Sequence, residues 1–280
     1  MIFTLDIGGT YTKYANIEGN KIINKGKWET TDSFEELIEN IENVICTPAE
    51  YIGISSGGFW DKEGKSIGYE TIESTSKKHL TKFLSEKYNC PVYIENDARC
   101  ALLAEKESGV LKNNENAVLF VLGSSLGCAV MINGKLYKGA TNQAGSMFMM
   151  PEYYDGSTYR FDKTANSISL TKEYDPSLDR GNMLLLEQMA QTDSRAAVLI
   201  DSYAKAVALK CRYAYLMYDP ECIALGGGIS ASDYIVEKIK EHLDEFFKID
   251  ESKRKPIILK TQFGGDSNLL GASLLKNCID

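Results

Sequence analysis

Two glycine-rich turns are the residues of this chain best suited to chemistry. The first is Leu5-Asp6-Ile7-Gly8-Gly9-Thr10, which follows the apolar run Met1-Ile2-Phe3-Thr4-Leu5 and leads into a second strand-like run ending in Tyr14-Ala15-Asn16-Ile17. Glycines let backbone N–H groups approach an oxyanion closely, and the Thr10 hydroxyl adds a donor. Asp6 can hold Mg²⁺ or its water shell beside phosphates. An ordinary hairpin turn with Asp as turn former accounts for the same hexapeptide. A second copy favours the phosphate reading. Ala117-Val118-Leu119-Phe120-Val121-Leu122 runs into Gly123-Ser124-Ser125-Leu126-Gly127 and resumes as Cys128-Ala129-Val130-Met131-Ile132. Gly8 and Gly123 lie 115 positions apart, and so do the hairpin glycines Gly19 and Gly134. One offset aligns both turns. Such a repeat predicts two related domains that face each other, each supplying one phosphate loop to a nucleotide.

A third constellation is Asn96-Asp97, placed where a strand hands over to a helix. The carboxyl ends of strands line the ligand crevice in open α/β sheets. A carboxylate there can take the proton of an alcohol, as phosphoryl transfer to a hydroxyl requires. Asn and Asp are also preferred helix caps, so capping is the competing reading. Gly226-Gly227-Gly228 follows an apolar strand and suits close approach to a flat ligand such as adenine, or simply a tight turn. Gly57-Gly58 is a weaker signal of the same kind. No G-x-x-x-x-G-K-[ST] sequence occurs, which excludes a P-loop.

These residues need elements to hold them. Ser33-Phe34-Glu35-Glu36 has capping-box spacing, and Phe34, Leu37, Ile38, Ile41 and Ile45 recur on one helical face. Tyr51-Ile52-Gly53-Ile54-Ser55 reads as a strand running into a Gly-rich loop, 56–61. A helix carrying Leu80, Phe83, Leu84 and Tyr88 follows, then a short strand 91–94 and a helix from 98 to about 106. The polar stretch 109–116 reads as the crossing between domains. Residues 151–182 read as loop with at most a short helix near 167–173. A long helix is predicted over about 194–217, a strand over 222–225, a helix over about 232–247, a strand over 257–259 and a last helix over 268–276. Strands first, then alternating helix and strand, imply mixed sheets covered by helices.

Composition bounds the function. The 280 residues are enough for two domains with their own cores. A net charge of −8 argues against a nucleic-acid surface. No run approaches the ~18 apolar residues of a membrane span, and Asp6 interrupts the apolar start, so a cytoplasmic location is expected. The seven cysteines are odd in number and widely spaced, which argues against a disulfide framework, and no C-x₂-C pair suggests zinc. His79 and His242 lie in Lys/Glu-rich helical stretches and read as solvated, so a general base here must be a carboxylate or a lysine.

The ordered set as a whole resembles the actin-like ATPase superfamily and, within it, the ROK family of sugar kinases and related repressors. The matching segments are LDIGGTYTK (5–13), ISSGGFWD (54–61), IENDARCALLAE (94–105), VLGSSLGCAVMINGKLYKG (121–139), NQAGSMFM (142–149), ALGGGIS (224–230) and NLLGASLL (268–275). The resemblance implies an α/β, two-domain actin-like ATPase (ribonuclease H-like) fold with a cleft between domains. It places residues 1–112 in the first domain, joined by a C-terminal helix at about 266–280, and residues 113–265 in the second. It implies Asp97 as general base and Asn96 as a sugar contact, with Gly58 nearby. It assigns Asp6, Gly8, Gly9, Thr10 and Lys13 to the phosphates of ATP and to Mg²⁺. Gly123, Ser124, Ser125 and Gly127 belong to the second phosphate loop, and Gly226, Gly227 and Gly228 face the adenosine. A homodimer and a small sugar as partner are further implications.

The chain also departs from the family pattern. Ser146 stands where the family carries a sugar-binding Glu, and Met149 where it carries a His. Residues 151–182 contain no Cys and no His, so no zinc site is expected, as in the zinc-less branch that includes β-glucoside kinase-like members. Gly57 replaces a usual Pro, and Ser125 and Cys128 replace usual glycines. The Met147, Met149 and Met150 patch suits an apolar or aryl-bearing ligand face, or core packing. The expectation is phosphorylation of a primary hydroxyl of a hexose, N-acylhexosamine or β-glucoside. The alternative is a non-catalytic sugar- or nucleotide-binding pseudokinase. The repressor branch needs an N-terminal DNA-binding region, whereas this acidic chain starts at the first kinase strand.

Overall fold

The computed structural model describes residues 1–19, 21–70, 72–73, 75, 78–154, 157–160, 166–178, 182–249 and 254–278. Asn20 of the first hairpin turn lies outside the described residues. So do 155–156, 161–165 and 179–181 of the segment read as loop. Two compact units divide the chain. The first comprises Met1–Ser108, Lys138–Gln143 and Asp266–Asp280; the second comprises Gly109–Tyr137 and Ala144–Gly265.

The first unit is built on β1 (Ile2–Ile7), β2 (Tyr11–Glu18), β3 (Lys21–Glu29), α1 (Phe34–Glu42), β4 (Tyr51–Ser56), β5 (Phe59–Trp60), β6 (Ser66–Gly68), α2 (Leu80–Tyr88), β7 (Val92–Asn96) and α3 (Asp97–Ser108). Its sheet runs β3-β2-β1-β4-β7. β1 to β3 form an antiparallel meander, while β4 and β7 add parallel to β1. β1 is central and buried on both faces, which explains its unbroken apolar run. β3 is the edge strand of the sheet and carries three lysines, side chains that disfavour edge-to-edge pairing. Ser33 caps α1 by accepting from the N–H of Glu36 at 3.3 Å. Phe34, Leu37, Ile38 and Ile41 of α1 then face Phe3, Leu5, Ile52 and Ile54 of the sheet in one core. Ile45 lies past the end of α1, partly buried against that core.

The second unit repeats the plan with β8 (Ala117–Leu122), β9 (Leu126–Ile132) and β10 (Lys135–Tyr137). A hairpin of β11 (Pro151–Tyr154) and β12 (Ser157–Arg160) follows, then α4 (Ser167–Tyr174), α5 (Met183–Ala190), α6 (Ser194–Tyr218), β13 (Cys222–Gly226), α7 (Asp233–Ile249) and β14 (Ile257–Lys260). Its sheet order is β10-β9-β8-β13-β14, again a meander with two parallel strands added. The repeat extends to the backbone, since Gly19 and Gly134 both adopt left-handed φ, 58° and 73°, in their hairpin turns. Ile200, Ala204 and Val207 of α6 pack with Ile235 and Ile239 of α7 over Val118, Phe120 and Ile223 of the sheet.

Several expectations need correction. Pro151–Tyr154 and Ser157–Arg160 pair as the antiparallel strands β11 and β12 rather than remaining loop. Phe59-Trp60 pairs with β6 instead of remaining irregular. α5 had no counterpart in the sequence reading. His242 is not solvated: its ring is 12% exposed and its Nε2 sits 2.9 Å from Asp201 Oδ1, tying α7 to α6. The last helix is split into α8 (Ser267–Ala272) and a 3₁₀ turn at Leu275–Asn277. All seven cysteines are free thiols. No helix among the described residues is long and apolar enough to cross a membrane.

Within the first unit α8 packs on α3, β1 and β4. A Cβ on Gly53 would lie 2.0 Å from the carbonyl oxygen of Ala272, and one on Gly271 would lie 1.7 Å from that of Cys100. Both glycines therefore exist for backbone-to-backbone contact, and they set the depth at which α8 docks.

Candidate active site

Strand register brings the first unit's polar residues together. Asp6 pairs with Ser55 across β1 and β4, and Ser55 pairs with Glu95 across β4 and β7. One step further, Ile7, Ser56 and Asn96 form the next row. Three parallel strands thus end side by side, and their carboxyl ends present Asp6, Ser55, Ser56, Glu95 and Asn96 at one edge of the sheet.

Asp6 is buried, and its two oxygens have different partners. Oδ1 accepts from Ser55 Oγ at 2.9 Å and from Asn268 Nδ2 at 3.0 Å. Oδ2 lies 3.6 Å from Nζ of Lys13, its cross-strand neighbour. Asn268 is delivered by α8, so the end of the chain completes the surroundings of its sixth residue.

Asn96 and Asp97 both engage the first turn of α3. Asn96 Oδ1 accepts from the N–H groups of Ala98 at 3.1 Å and Arg99 at 3.4 Å, which caps α3. Its Nδ2 donates to the carbonyl of Gly58 at 3.0 Å. Asp97 Oδ1 accepts from Ala98 N–H at 2.8 Å, and the capping duty is shared. The Asp97 carboxyl is pushed up to about 6, first by burial and then by the charge of Asp6, against the lowering pull of the Ala98 N–H. A carboxyl that titrates there is a proton acceptor at neutral pH and a stronger base than an ordinary aspartate.

The glycine turns separate by what surrounds them. In the first turn Gly8 N–H donates to the Tyr11 carbonyl at 3.2 Å, and Thr30 Oγ1 donates to the Gly8 carbonyl at 2.6 Å, while Gly9 and Thr10 are exposed. In the second unit Gly123 N–H donates to the Ser125 carbonyl at 3.1 Å, with Ser124 and Ser125 exposed. A Cβ on Gly123 or on Gly228 would meet nothing within 4 Å. Gly227 differs, with φ at 84° and a would-be Cβ 2.4 Å from the Leu122 carbonyl oxygen. Gly226 packs against Thr261. Internal packing therefore accounts for Gly226 and Gly227, and leaves Gly228 open to a ligand. Gly58, with φ at 105° and a would-be Cβ 2.7 Å from Glu70 Cα, is likewise a packing requirement.

Ser146 and Met149 belong to the second unit. Ser146 precedes a 3₁₀ turn, Met147–Met149, whose last N–H returns to the Ser146 carbonyl at 3.0 Å. Met147 is buried in that unit's core and Met150 packs against it, so core packing explains two of the three methionines. Met149 is half-buried.

Ser55, Asn268 and the buried pair Glu95–Arg99 went unnoticed in the sequence. Strand register alone reveals Ser55 and Glu95, and only the docking of α8 reveals Asn268. No cluster of three or more His, Cys, Asp or Glu that could hold a metal occurs among the described residues. Asp6, with one oxygen engaged and the other facing a lysine, fits a Mg²⁺ ion held mostly by phosphate oxygens and water.

Known proteins resemble this chain over nearly its whole length. The chain is 26% identical over 285 residues to a beta-glucoside kinase of Listeria monocytogenes, covering 97% of this chain and 95% of that one. It is 23% identical to an N-acetyl-D-glucosamine kinase of Aliivibrio fischeri, with 98% and 99% covered. A ROK family protein from Streptococcus pneumoniae, solved in complex with sucrose, superimposes with a TM-score of 0.85 at 25% identity, covering 99% of this chain and 98% of that one. The ROK family model matches residues 2–278, and the chain belongs to the ROK family.

Proposed function

We propose that this ROK family member is an ATP-dependent sugar kinase in which Asp97 is the general base. The observation that carries the reading is the Asp97 carboxyl at the end of the parallel strands, raised to about 6 and beside an Asn96 already fixed by its cap. The Asp97 carboxylate takes the proton of a primary hydroxyl. The oxygen attacks the γ-phosphorus in line, the bond to the β-phosphate oxygen breaks, and ADP and a sugar phosphate leave. Asn96 orients the sugar, and Gly58 supports it by holding Nδ2 of Asn96. Gly8, Gly9, Thr10 and Lys13 serve the phosphates, as do Gly123, Ser124, Ser125 and Gly127; Gly228 serves the adenosine, in a turn whose shape Gly226 and Gly227 set by their packing. Mg²⁺, when bound near Asp6, supplies charge neutralisation on the phosphates.

The acceptor class we favour is a hexose, an N-acylhexosamine or a β-glucoside. Ser146 and Met149 offer a less charged lining than a Glu and a His would, and the named relatives act on glucosides and amino sugars. A homodimer and a cytoplasmic location accompany this reading, and sedimentation measures the first. The decisive assay is ATP consumption with Mg²⁺ against a panel of monosaccharides, N-acylhexosamines and β-glucosides. Asp97→Asn is expected to lower turnover by about 10²–10⁴-fold while the fold is kept. Full activity in that variant removes Asp97 as base. ATP binding without turnover on any sugar favours the pseudokinase, which Ser146 and Met149 motivate.

A further inference from the structure

Behind Asn96 and Asp97 lies a buried charge cluster that the phosphoryl-transfer reading does not use. Arg99 is 1% exposed and the Glu95 side chain 5%. Glu95 Oε1 accepts from Arg99 Nη1 at 3.1 Å and from the N–H of Asn96 at 2.8 Å. Glu95 Oε2 lies 2.6 Å from Nζ of Lys138. Arg99 Nη2 donates to the carbonyl of Asn142 at 2.9 Å, and its guanidinium sits over the Phe59 ring, 5.4 Å from the centroid. Asn142 in turn donates from Nδ2 to the carbonyl of Trp60 at 3.2 Å.

These bonds close a circuit. It runs from Asn96 through Glu95 to Arg99, on to Asn142, then to Trp60, and from Gly58 of the same hairpin back to Nδ2 of Asn96. Lys138–Gln143 acts as a strap in this circuit. It belongs to the first unit, although β10 before it and Ala144 after it belong to the second. Asn142 holds a left-handed φ of 56°, a conformation asparagine tolerates better than other non-glycine residues. Arg99 and Glu95 are held out of water, which costs free energy unless the charges are paired; the circuit pairs them with each other, and Lys138, one-third exposed, brings a second cation to Glu95.

We propose that the Glu95–Arg99 pair, completed by Lys138 on the strap, is a positioning device for Asn96 and Asp97. This rests on the kinase reading for its purpose and on the circuit for its existence. The device has two effects. Glu95 and Arg99 fix the backbone of Asn96 and the start of α3, which sets the direction of both functional side chains. Arg99 and Lys138 also balance the charge of Glu95, so that Asp97 feels chiefly Asp6. The charge acting on Asp97 is that of Asp6, which faces Lys13; Asp6, Asp97 and Glu95 all act on the Cys100 thiol of α3, and Glu95 in turn faces Arg99 and Lys138. The Cys100 thiol stays protonated, since burial and the nearby carboxylates push it up.

The test reads Asp97 without any sugar or ATP. The ¹³C carboxyl resonance of Asp97, assigned by its loss in Asp97→Asn, is titrated in the intact ligand-free protein, in Lys138→Met and in Glu95→Gln. Lys138 is one-third exposed, so its removal leaves the core intact. The expected result is an upward move of the Asp97 midpoint in Lys138→Met by on the order of half a unit, and a downward move in Glu95→Gln. Turnover, where a substrate has been found, is expected to fall in Lys138→Met through kcat, with KM for ATP unchanged. Identical midpoints in all three proteins overturn the proposal, as do shifts of the same sign in the two variants. If Glu95→Gln fails to fold, Lys138→Met alone decides it. Because the titration needs no reaction, it stands or falls separately from the sugar kinase reading.

Discussion

Asn268 donates its side-chain amide to Oδ1 of Asp6 at 3.0 Å, although 262 residues separate the two in the chain. Together with Ser55 it occupies that oxygen, which leaves Oδ2 facing Lys13. Hydrogen bonds to a charged group contribute roughly 1.5–3 kcal/mol. Asn268→Ala is expected to lower unfolding stability by about 1–3 kcal/mol in urea. Asn268→Asp, which sets a second carboxylate against Asp6, is expected to cost more. Equal stability of all three proteins counts against the contact.

Asp97 makes stability depend on pH. Its carboxyl is raised from 3.8 to about 6 in the folded protein, so as pH rises the unfolded chain ionises first. Its favourable contribution is complete below about 4 and is lost as pH rises through about 6. Asp97→Asn does not titrate. Relative to the wild type it should gain about 1–3 kcal/mol between pH 4 and pH 8. Denaturant melts of both proteins at the two pH values measure this, and a constant difference rejects the raised carboxyl.

The glycines separate into two classes under substitution. Gly53→Ala and Gly271→Ala force a methyl into backbone carbonyls at 2.0 Å and 1.7 Å. Each should cost about 3 kcal/mol or more and lower the melting temperature by roughly 6–12 °C. Gly123→Ala and Gly228→Ala meet open space, so they should melt within a few degrees of the wild type. If the proposed ATP contacts hold, those two variants instead weaken ATP binding by about tenfold, measured by calorimetry. Unchanged ATP affinity in both removes the glycine loops from the site.

Metal dependence follows from the donor set. Chelation should abolish the proposed kinase activity, and Mg²⁺ alone should restore it without added zinc. Asp6→Asn should raise the Mg²⁺ concentration needed for half-maximal rate by about 10–100-fold. A requirement for zinc in the chelated protein contradicts the reading.

Much of the local structure that carries the candidate site was legible because it depends on short-range rules. Apolar runs ending in Gly-Gly-Thr or Gly-Ser-Ser mark strand–turn–strand units, and the equal spacing of Gly8/Gly123 and Gly19/Gly134 marks the repeat. Asn96-Asp97 announces a strand-to-helix junction. The β11–β12 pairing was also foreshadowed in the chain by the Tyr-rich runs 151–154 and 157–160, although their polar composition resembles loop. α5, capped by Asn182 accepting from Leu185 N–H at 3.1 Å, has a Leu/Met run too short and too uniformly apolar for a clear period.

Sequence alone determined the two glycine-rich turns, the repeat, the junction at Asn96-Asp97 and the alternation of strands and helices. Each is set by neighbours within a few residues, through apolar period, turn conformation and capping. Tertiary structure decided which partners these residues meet. Ser55 reaches Asp6 through strand register, Asn268 reaches it through the docking of α8 over Gly53 and Gly271, and Lys138 and Asn142 reach Glu95 and Arg99 through the strap. These contacts join residues tens to hundreds of positions apart. No local pattern encodes such pairings, because they arise only when strands align and backbones pack. The raised Asp97 carboxyl belongs with them, since burial and the charge of Asp6 exist only in the folded protein.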